Sequence, residues 1–333
     1  MRLHPLAAAA AASAVLMLAA TPARGQGYRF TLVASPNGAN TDGLTFGGIN
    51  DAGQVIGAIT CRNNGRGCYG SGPSFIYEAG AFRYLSYAPA GINDAGVTVG
   101  TTTDSLGFHG FVNSGGVVRT FDGPNAPPTL AGAATNARGI NNAGQVVGSE
   151  GNTRRGSDYH AYIYGDGAFT VFDTPYGDFT EAYDINNLGQ VVGTYETAGV
   201  GPTGGYVREA DGTIRSFNAP GATSTMPVGL NDFGQIVGSV LYPGATLGGV
   251  GFVYRDGTFS LLEPPGPGRV VARGVNNAGV VVGTYYALSG DVFGFVATPN
   301  AVTAPEPAPL ALSAAGGAAL GAVARRRRGR AWA

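Results

Sequence analysis

The sequence predicts an all-β fold, a six-bladed β-propeller closed by strand exchange between its termini, on three observations. A segment built around Asn and Gly returns six times along the chain. Alternating runs of Val, Ile, Phe and Tyr between glycine-rich turns favour short strands over helices. One strand left over at the start of the array matches one strand missing at its end.

The six copies lie at Asn50–Gly53, Asn93–Gly96, Asn141–Gly144, Asn186–Gly189, Asn231–Gly234 and Asn276–Gly279, with first asparagines 43, 48, 45, 45 and 45 residues apart. A period of this size with strand-like composition means β units packed side by side. In each unit a segment such as Gly48-Ile49-Asn50 enters a turn whose glycine takes the left-handed conformation. The asparagine side chain can bond its own backbone across that turn, and the chain leaves as a second strand such as Gln145-Val146-Val147-Gly148. A second hairpin follows, clearest where Gly251–Arg255 meets Thr258–Leu262 through Asp256-Gly257, and it recurs around Phe75, Phe111, Tyr162 and Tyr206. Four strands in about 45 residues is the size of one propeller blade.

Closure is argued from the two ends of the array. The sixth unit stops after its third strand, Gly294–Ala297, while Tyr28–Pro36 aligns with the fourth-strand segment Gly212–Pro220. A sheet completed by both termini removes the exposed edges of an open array, and by analogy with WD-repeat propellers the closing strand is the outermost of its blade. An open solenoid, which carries atypical polar caps, and a pair of β-sandwiches are the competing architectures. The innermost strand of each blade is left open.

The ends of the chain have the composition of address labels. Arg2 and His4 precede an apolar run from Leu6 to Ala20 with small residues at Ala23 and Gly25, so residues 1–25 are expected to be a secretory signal peptide and residues 26–300 the propeller. Residues 301–307 form a linker holding Pro305-Glu306-Pro307, residues 308–324 an apolar transmembrane helix, and residues 325–333 a basic cytoplasmic tail with Arg325, Arg326, Arg327 and Arg328. This three-part order resembles the PEP-CTERM sorting signal of Gram-negative bacteria. The resemblance implies recognition by an exosortase-type membrane protease, a transient inner-membrane stage, and release to the cell surface or extracellular (biofilm) matrix. A plain membrane anchor is the alternative.

Every basic residue is arginine, and thirteen arginines against twenty acidic residues leave the body between the labels at a net charge of −7. That charge argues against nucleic acid as a partner. Cys61 and Cys68 flank one loop, and in an exported chain a close, even pair with no histidine beside it is read as a disulfide rather than a metal site.

The repeated units resemble HAF-type extracellular repeats, named for a His-Ala-Phe segment that opens the second hairpin. The nearest copies are His160-Ala161-Tyr162 and His109-Gly110-Phe111. The resemblance implies an exported or surface repeat protein and carries no activity with it. The two histidines occupy equivalent positions in different units and are not expected to share a metal. Half of the six turns carry a neutral second residue, Asn142, Asn187 or Asn277, which disfavours calcium. No cofactor is expected. No nucleophile motif, phosphate loop or close carboxylate pair is present; glycosidase-like acids would have to be assembled from Asp104, Glu150, Asp158, Glu196 and Asp291, read as loop residues.

Length varies only in the connections between hairpins and between units, and in an up-and-down blade these gather on one face. That face is the expected binding surface. It would present Arg62, Arg66, Tyr69, Arg154, Arg155, Tyr159, Tyr195, Tyr242, Tyr285 and Tyr286, and aromatic faces beside arginine forks suit exopolysaccharide or a surface protein. The expected function is therefore a non-catalytic adhesion or glycan- or protein-binding protein, with a secreted carbohydrate-active enzyme or a structural spacer as alternatives.

Overall fold

A computed structural model describes residues 27–36, 42–61, 71–127, 132–152, 159–197, 202–245 and 249–300, which hold twenty-four strands and no helix. The expected signal peptide, Pro-Glu-Pro linker, sorting helix and basic tail lie outside the described residues, as does Cys68 of the expected disulfide. Among the described residues no helix is long and apolar enough to cross a membrane.

The chain opens with β1 (Tyr28–Val33) and then runs through successive sets of four strands. The first set is β2 (Asp42–Ile49), β3 (Val55–Cys61), β4 (Ser71–Glu78) and β5 (Ala81–Leu85). The second is β6 (Pro89–Ile92), β7 (Thr98–Thr103), β8 (Gly107–Ser114) and β9 (Val117–Phe121). The third is β10 (Ala133–Ile140), β11 (Val146–Asn152), β12 (Tyr159–Gly165) and β13 (Ala168–Phe172). The fourth is β14 (Phe179–Ile185), β15 (Val191–Glu196), β16 (Pro202–Arg208) and β17 (Ile214–Phe217). The fifth is β18 (Ser224–Leu230), β19 (Ile236–Leu241), β20 (Val250–Arg255) and β21 (Thr258–Leu261). The last has three strands, β22 (Gly268–Val275), β23 (Val281–Ala287) and β24 (Val292–Pro299). β1 supplies its fourth, pairing antiparallel with β24 so that Tyr28 faces Pro299 and Val33 faces Gly294. β1 is thus the outermost strand of that sheet, at the far side from β22.

The first strands of the sets, β2, β6, β10, β14, β18 and β22, neighbour one another around a common axis, giving an all-β, propeller-like ring. Six separate blades were expected, and the sheet pattern corrects this: four sheets have four strands, and β6–β13 form one sheet of eight. The join is a two-residue parallel pairing of β8 with β10, Gly107 beside Ala133 and Phe108 beside Ala134. A Cβ at Gly107 would lie 2.2 Å from the Ala133 carbonyl oxygen, so the missing side chain permits this approach.

Two devices make every set alike. The glycine of the second strand sits opposite a buried aromatic of the third, with Gly57 against Phe75, Gly100 against Phe111, Gly148 against Tyr162, Gly193 against Tyr206, Gly238 against Phe252 and Gly283 against Phe295. The ring fills the space that the glycine leaves, and the two tyrosines place their hydroxyls on backbone carbonyls, Tyr162 on Asn136 at 2.9 Å and Tyr206 on Glu181 at 3.2 Å.

The other device is the asparagine turn. Its glycines have φ between 71° and 80°, and the Asn50 Oδ1 accepts the Gln54 N–H at 2.9 Å, a bond repeated in every unit. The same side chain also reaches outward. The amide of Asn50 donates to the Asn93 carbonyl at 2.8 Å, Asn93 to Asn141, Asn141 to Asn186, Asn186 to Asn231, Asn231 to Asn276, and Asn276 back to Asn50 at 3.3 Å. Six buried asparagines therefore close a hydrogen-bonded ring. An Asn side chain carries both the acceptor for its own turn and the donor for the next.

Candidate functional site

Each inner strand carries a β-bulge three residues before its turn asparagine, at Phe46/Gly48, Pro89/Gly91, Ala137/Gly139, Ala182/Asp184, Pro227/Gly229 and Ala272/Gly274. A bulge leaves one residue out of the ladder and re-aims its side chain. Here the unpaired residues are Gly47, Ala90, Arg138, Tyr183, Val228 and Arg273, and all six line an axial cavity of about 300 Å³. Thr284 and Tyr286, two residues apart on β23 and so on one face, complete its wall with Thr45 and Phe46.

The cavity opens on the face of the variable connections. Each inner strand runs toward its asparagine turn, so each second strand returns to the opposite face, where the connections after Cys61, Asn152, Glu196, Leu241 and Ala287 begin. Toward the asparagine face the axis narrows. The residue after each bulge is Gly48, Gly91, Gly139, Gly229 or Gly274, and these backbones crowd so closely that a Cβ on Gly274 would lie 3.0 Å from the Gly48 Cα. The fourth unit alone has Asp184 there. Its carboxylate accepts the Leu230 N–H and the Ile185 N–H, each at 2.9 Å, and lines the waist. Asp184 lines both the small waist cavity and the shallow chamber above it. Burial pushes its carboxyl up to about 7, against the pull of the two N–H bonds.

Charge in the cavity is arranged unevenly. Arg138 donates to Glu181 at 3.0 Å, its guanidinium lies 4.6 Å from the Tyr183 ring centroid, and its Nε is buried without an acceptor. The Tyr183 hydroxyl donates to the second Glu181 oxygen at 2.8 Å, and burial pushes that phenol to about 12. On the opposite arc Arg269 lies 4.2 Å over the Tyr286 ring, and Arg273 stands exposed at the wall. Two guanidiniums thus line the cavity of a net acidic body, Arg138 paired with Glu181 and Arg273 unpaired among the described residues, with the Asp184 carboxyl at the inner end.

The expected binding residues divide. Arg62, Arg66, Tyr69, Arg154 and Arg155 lie outside the described residues. Tyr286 lines the cavity, and half-buried Tyr159 stacks on Phe179 at 6.2 Å beside the Arg138–Glu181 pair, whose Glu181 charge adds to the effect of burial in raising its phenol. Tyr285 is not presented, which corrects the expectation: it is buried against Phe293, with its hydroxyl on the Pro267 carbonyl at 3.0 Å. Strand alternation turns it away from Tyr286. Tyr195, half-buried, contacts Tyr176 and accepts from Asn218, and Tyr242 packs on the cluster around Phe217 and Phe252.

One further expectation changes. Glu150 is not a loop acid: it lies fully buried on β11, bound to the side chain and backbone N–H of Asn125 at 2.9 and 3.2 Å, and burial raises its carboxyl. The histidines each hold a carboxylate thirteen residues on, His109 with Asp122 at 2.6 Å and His160 with Asp173 at 2.9 Å, and His109 also meets Asp104 at 3.1 Å. Among the described residues no group of three or more His, Cys, Asp or Glu side chains could hold a metal. The turn carboxylates are engaged by neighbouring turns. Asp232 accepts from the amides of Asn187 and Asn277 at 2.9 and 2.7 Å, bonds that outweigh its burial and hold it below the usual range.

The chain is thus a propeller-like ring with a blind axial cavity. No family model matches its sequence, and no curated protein does. It is similar in structure to TolB from Acinetobacter baumannii, at 12% identity and a TM-score of 0.44, covering 81% of this chain and spanning about 60% of TolB's length. It is also similar to the β-propeller domain of the Trilobed protease from Pyrococcus furiosus, at 10% identity, a TM-score of 0.45, and coverage of 77% and 93%. A mutant of AofleA from Arthrobotrys oligospora gives 11% identity, a TM-score of 0.47, and coverage of 84% and 89%.

Proposed function

We propose that this chain is an exported, non-catalytic surface or matrix protein that presents a rigid ring for adhesion to a glycan or protein partner. In this reading the ring is a six-bladed propeller whose second and third blades are bridged by the short β8–β10 pairing. The signal peptide delivers it across the inner membrane, and an exosortase-type protease removes the tail. The observation that carries the binding function is the cavity lined by Arg138, Tyr183, Arg273 and Tyr286, which opens on the face where the second strands end and the variable connections begin. Convergent arginines and aromatics in a concave site are the usual composition of a recognition surface.

A glycan-array screen of the exported protein, beside a variant with Tyr159 and Tyr286 changed to Ala, tests this. Selective binding that the variant loses is the expected outcome. Silence across neutral and acidic glycans removes the adhesive reading, and turnover of an arrayed glycan replaces it with an enzyme. Mass spectrometry of the secreted form locates the C-terminal cut; a chain ending beyond Arg325 speaks against sorting.

A further inference from the structure

We infer that the axial cavity reads the acidic end of a glycan: it takes a single terminal uronic-acid-type unit, its carboxylate held between Arg138 and Arg273 and its ring lying on Tyr286. This rests on the binding function proposed above and assigns its ligand class.

Donor accounting comes first. Arg273 has no hydrogen-bond or ion-pair partner among the described residues, and Arg138 uses one of its five N–H donors, on Glu181. A planar guanidinium with open donors is matched in shape by a carboxylate, which it binds through two parallel bonds. Units three and six supply these arginines, so they approach the axis from opposite sides of the asparagine ring. Arg138 is paired with Glu181 and Asp184 lies at the inner end, so the guanidinium of Arg273 is the charge left to draw an anion to this point of a net acidic chain.

Shape then selects the kind of anion. At about 300 Å³ the cavity sits at the bottom of the range for ligand sites, room for one small unit and not for a chain. The glycine waist and Asp184 close its inner end, so a polymer cannot thread the axis and must enter by its terminus. Tyr183, Tyr286 and the Thr284 hydroxyl give a sugar ring an aromatic face and a polar wall, which a bare inorganic anion would leave unused. A neutral sugar would leave the guanidiniums unmatched.

Calorimetric titration of the exported protein with glucuronate, glucose and inorganic sulfate tests the assignment, using wild type, Arg273→Ala and Tyr286→Ala. Arg273 is exposed and unpaired, so an unchanged melting temperature is expected for its variant. Glucuronate is expected to bind once per chain, weakened about tenfold to a hundredfold by Arg273→Ala and also weakened by Tyr286→Ala, with glucose silent. Sulfate binding as tightly as glucuronate, indifferent to Tyr286→Ala, overturns the sugar assignment in favour of a simple anion site. Acidic polysaccharide retained by Arg273→Ala with no response to glucuronate overturns the cavity but leaves adhesion standing. Loss of all glycan binding in wild type overturns both.

Discussion

Asp184 occupies the one waist position where the other five units have glycine, and its titration is felt by the whole fold. An acid whose carboxyl is raised to about 7 when folded, from an ordinary 3.8, binds more protons folded than unfolded. Stability therefore falls as pH climbs from 3.8 to about 7 and levels off above. Asp184→Asn, neutral at every pH, is expected to melt a few degrees above wild type at pH 8, about 1–2 kcal/mol, and close to it at pH 4; equal differences at the two values sink the idea. His109 has the opposite sign. Its bond to Asp104, helped by Asp122 and opposed by burial, raises the imidazole, so the pair stabilises the fold below pH 6.5 and loses that effect as pH rises through the raised value. His109→Gln should lower the melting temperature more at pH 5.5 than at pH 9.

At the scale of the element, the asparagine turn was legible in sequence only in part. The bond from each side chain to its own turn follows from local chemistry; the bond to the next turn does not, because it joins residues 43 to 48 positions apart. Asn186→Ala leaves the Gln190 N–H and the Asn231 carbonyl short of partners. A loss of about 2 kcal/mol, or roughly 4–8 °C in thermal melting, is expected. The glycine facing the aromatic is stricter. A Cβ on Gly193 would lie 1.9 Å from the Glu181 carbonyl oxygen and 2.7 Å from the Tyr206 ring, so Gly193→Ala is expected to cost about 3 kcal/mol or more, read from urea unfolding. The bulge was missed, although a signal existed. The residue three before each asparagine runs Gly47, Ala90, Arg138, Tyr183, Val228 and Arg273, varying freely inside a segment that otherwise repeats. Without the bulge nothing indicates that this position faces the axis.

For the whole molecule, stability depends on the ring being complete. β1 covers the edge of β24 and places Phe30 against Phe295 at 5.2 Å, while the Tyr28 hydroxyl accepts from Gln235 at 2.7 Å in the asparagine turn of the fifth set. Removing residues 26–36 is expected to expose a hydrophobic strand edge and drive association, seen as high-mass species in size-exclusion chromatography. A monomeric, cooperatively melting truncation would show that closure is dispensable. The axial cavity belongs to this scale as well, since it borrows residues from all six inner strands and from β23.

The sequence by itself determined the all-β class, the repeat, the turn chemistry and the exchange of a terminal strand, because each is set by residues adjacent in the chain or by a count of strands. Tertiary structure alone decided the merging of β6–β13 into one sheet, the asparagine ring, the burial of Tyr285 and Glu150, and the arginines at the axis. These depend on which backbones approach across the ring, and on a one-residue bulge that reverses the face of every side chain beyond it.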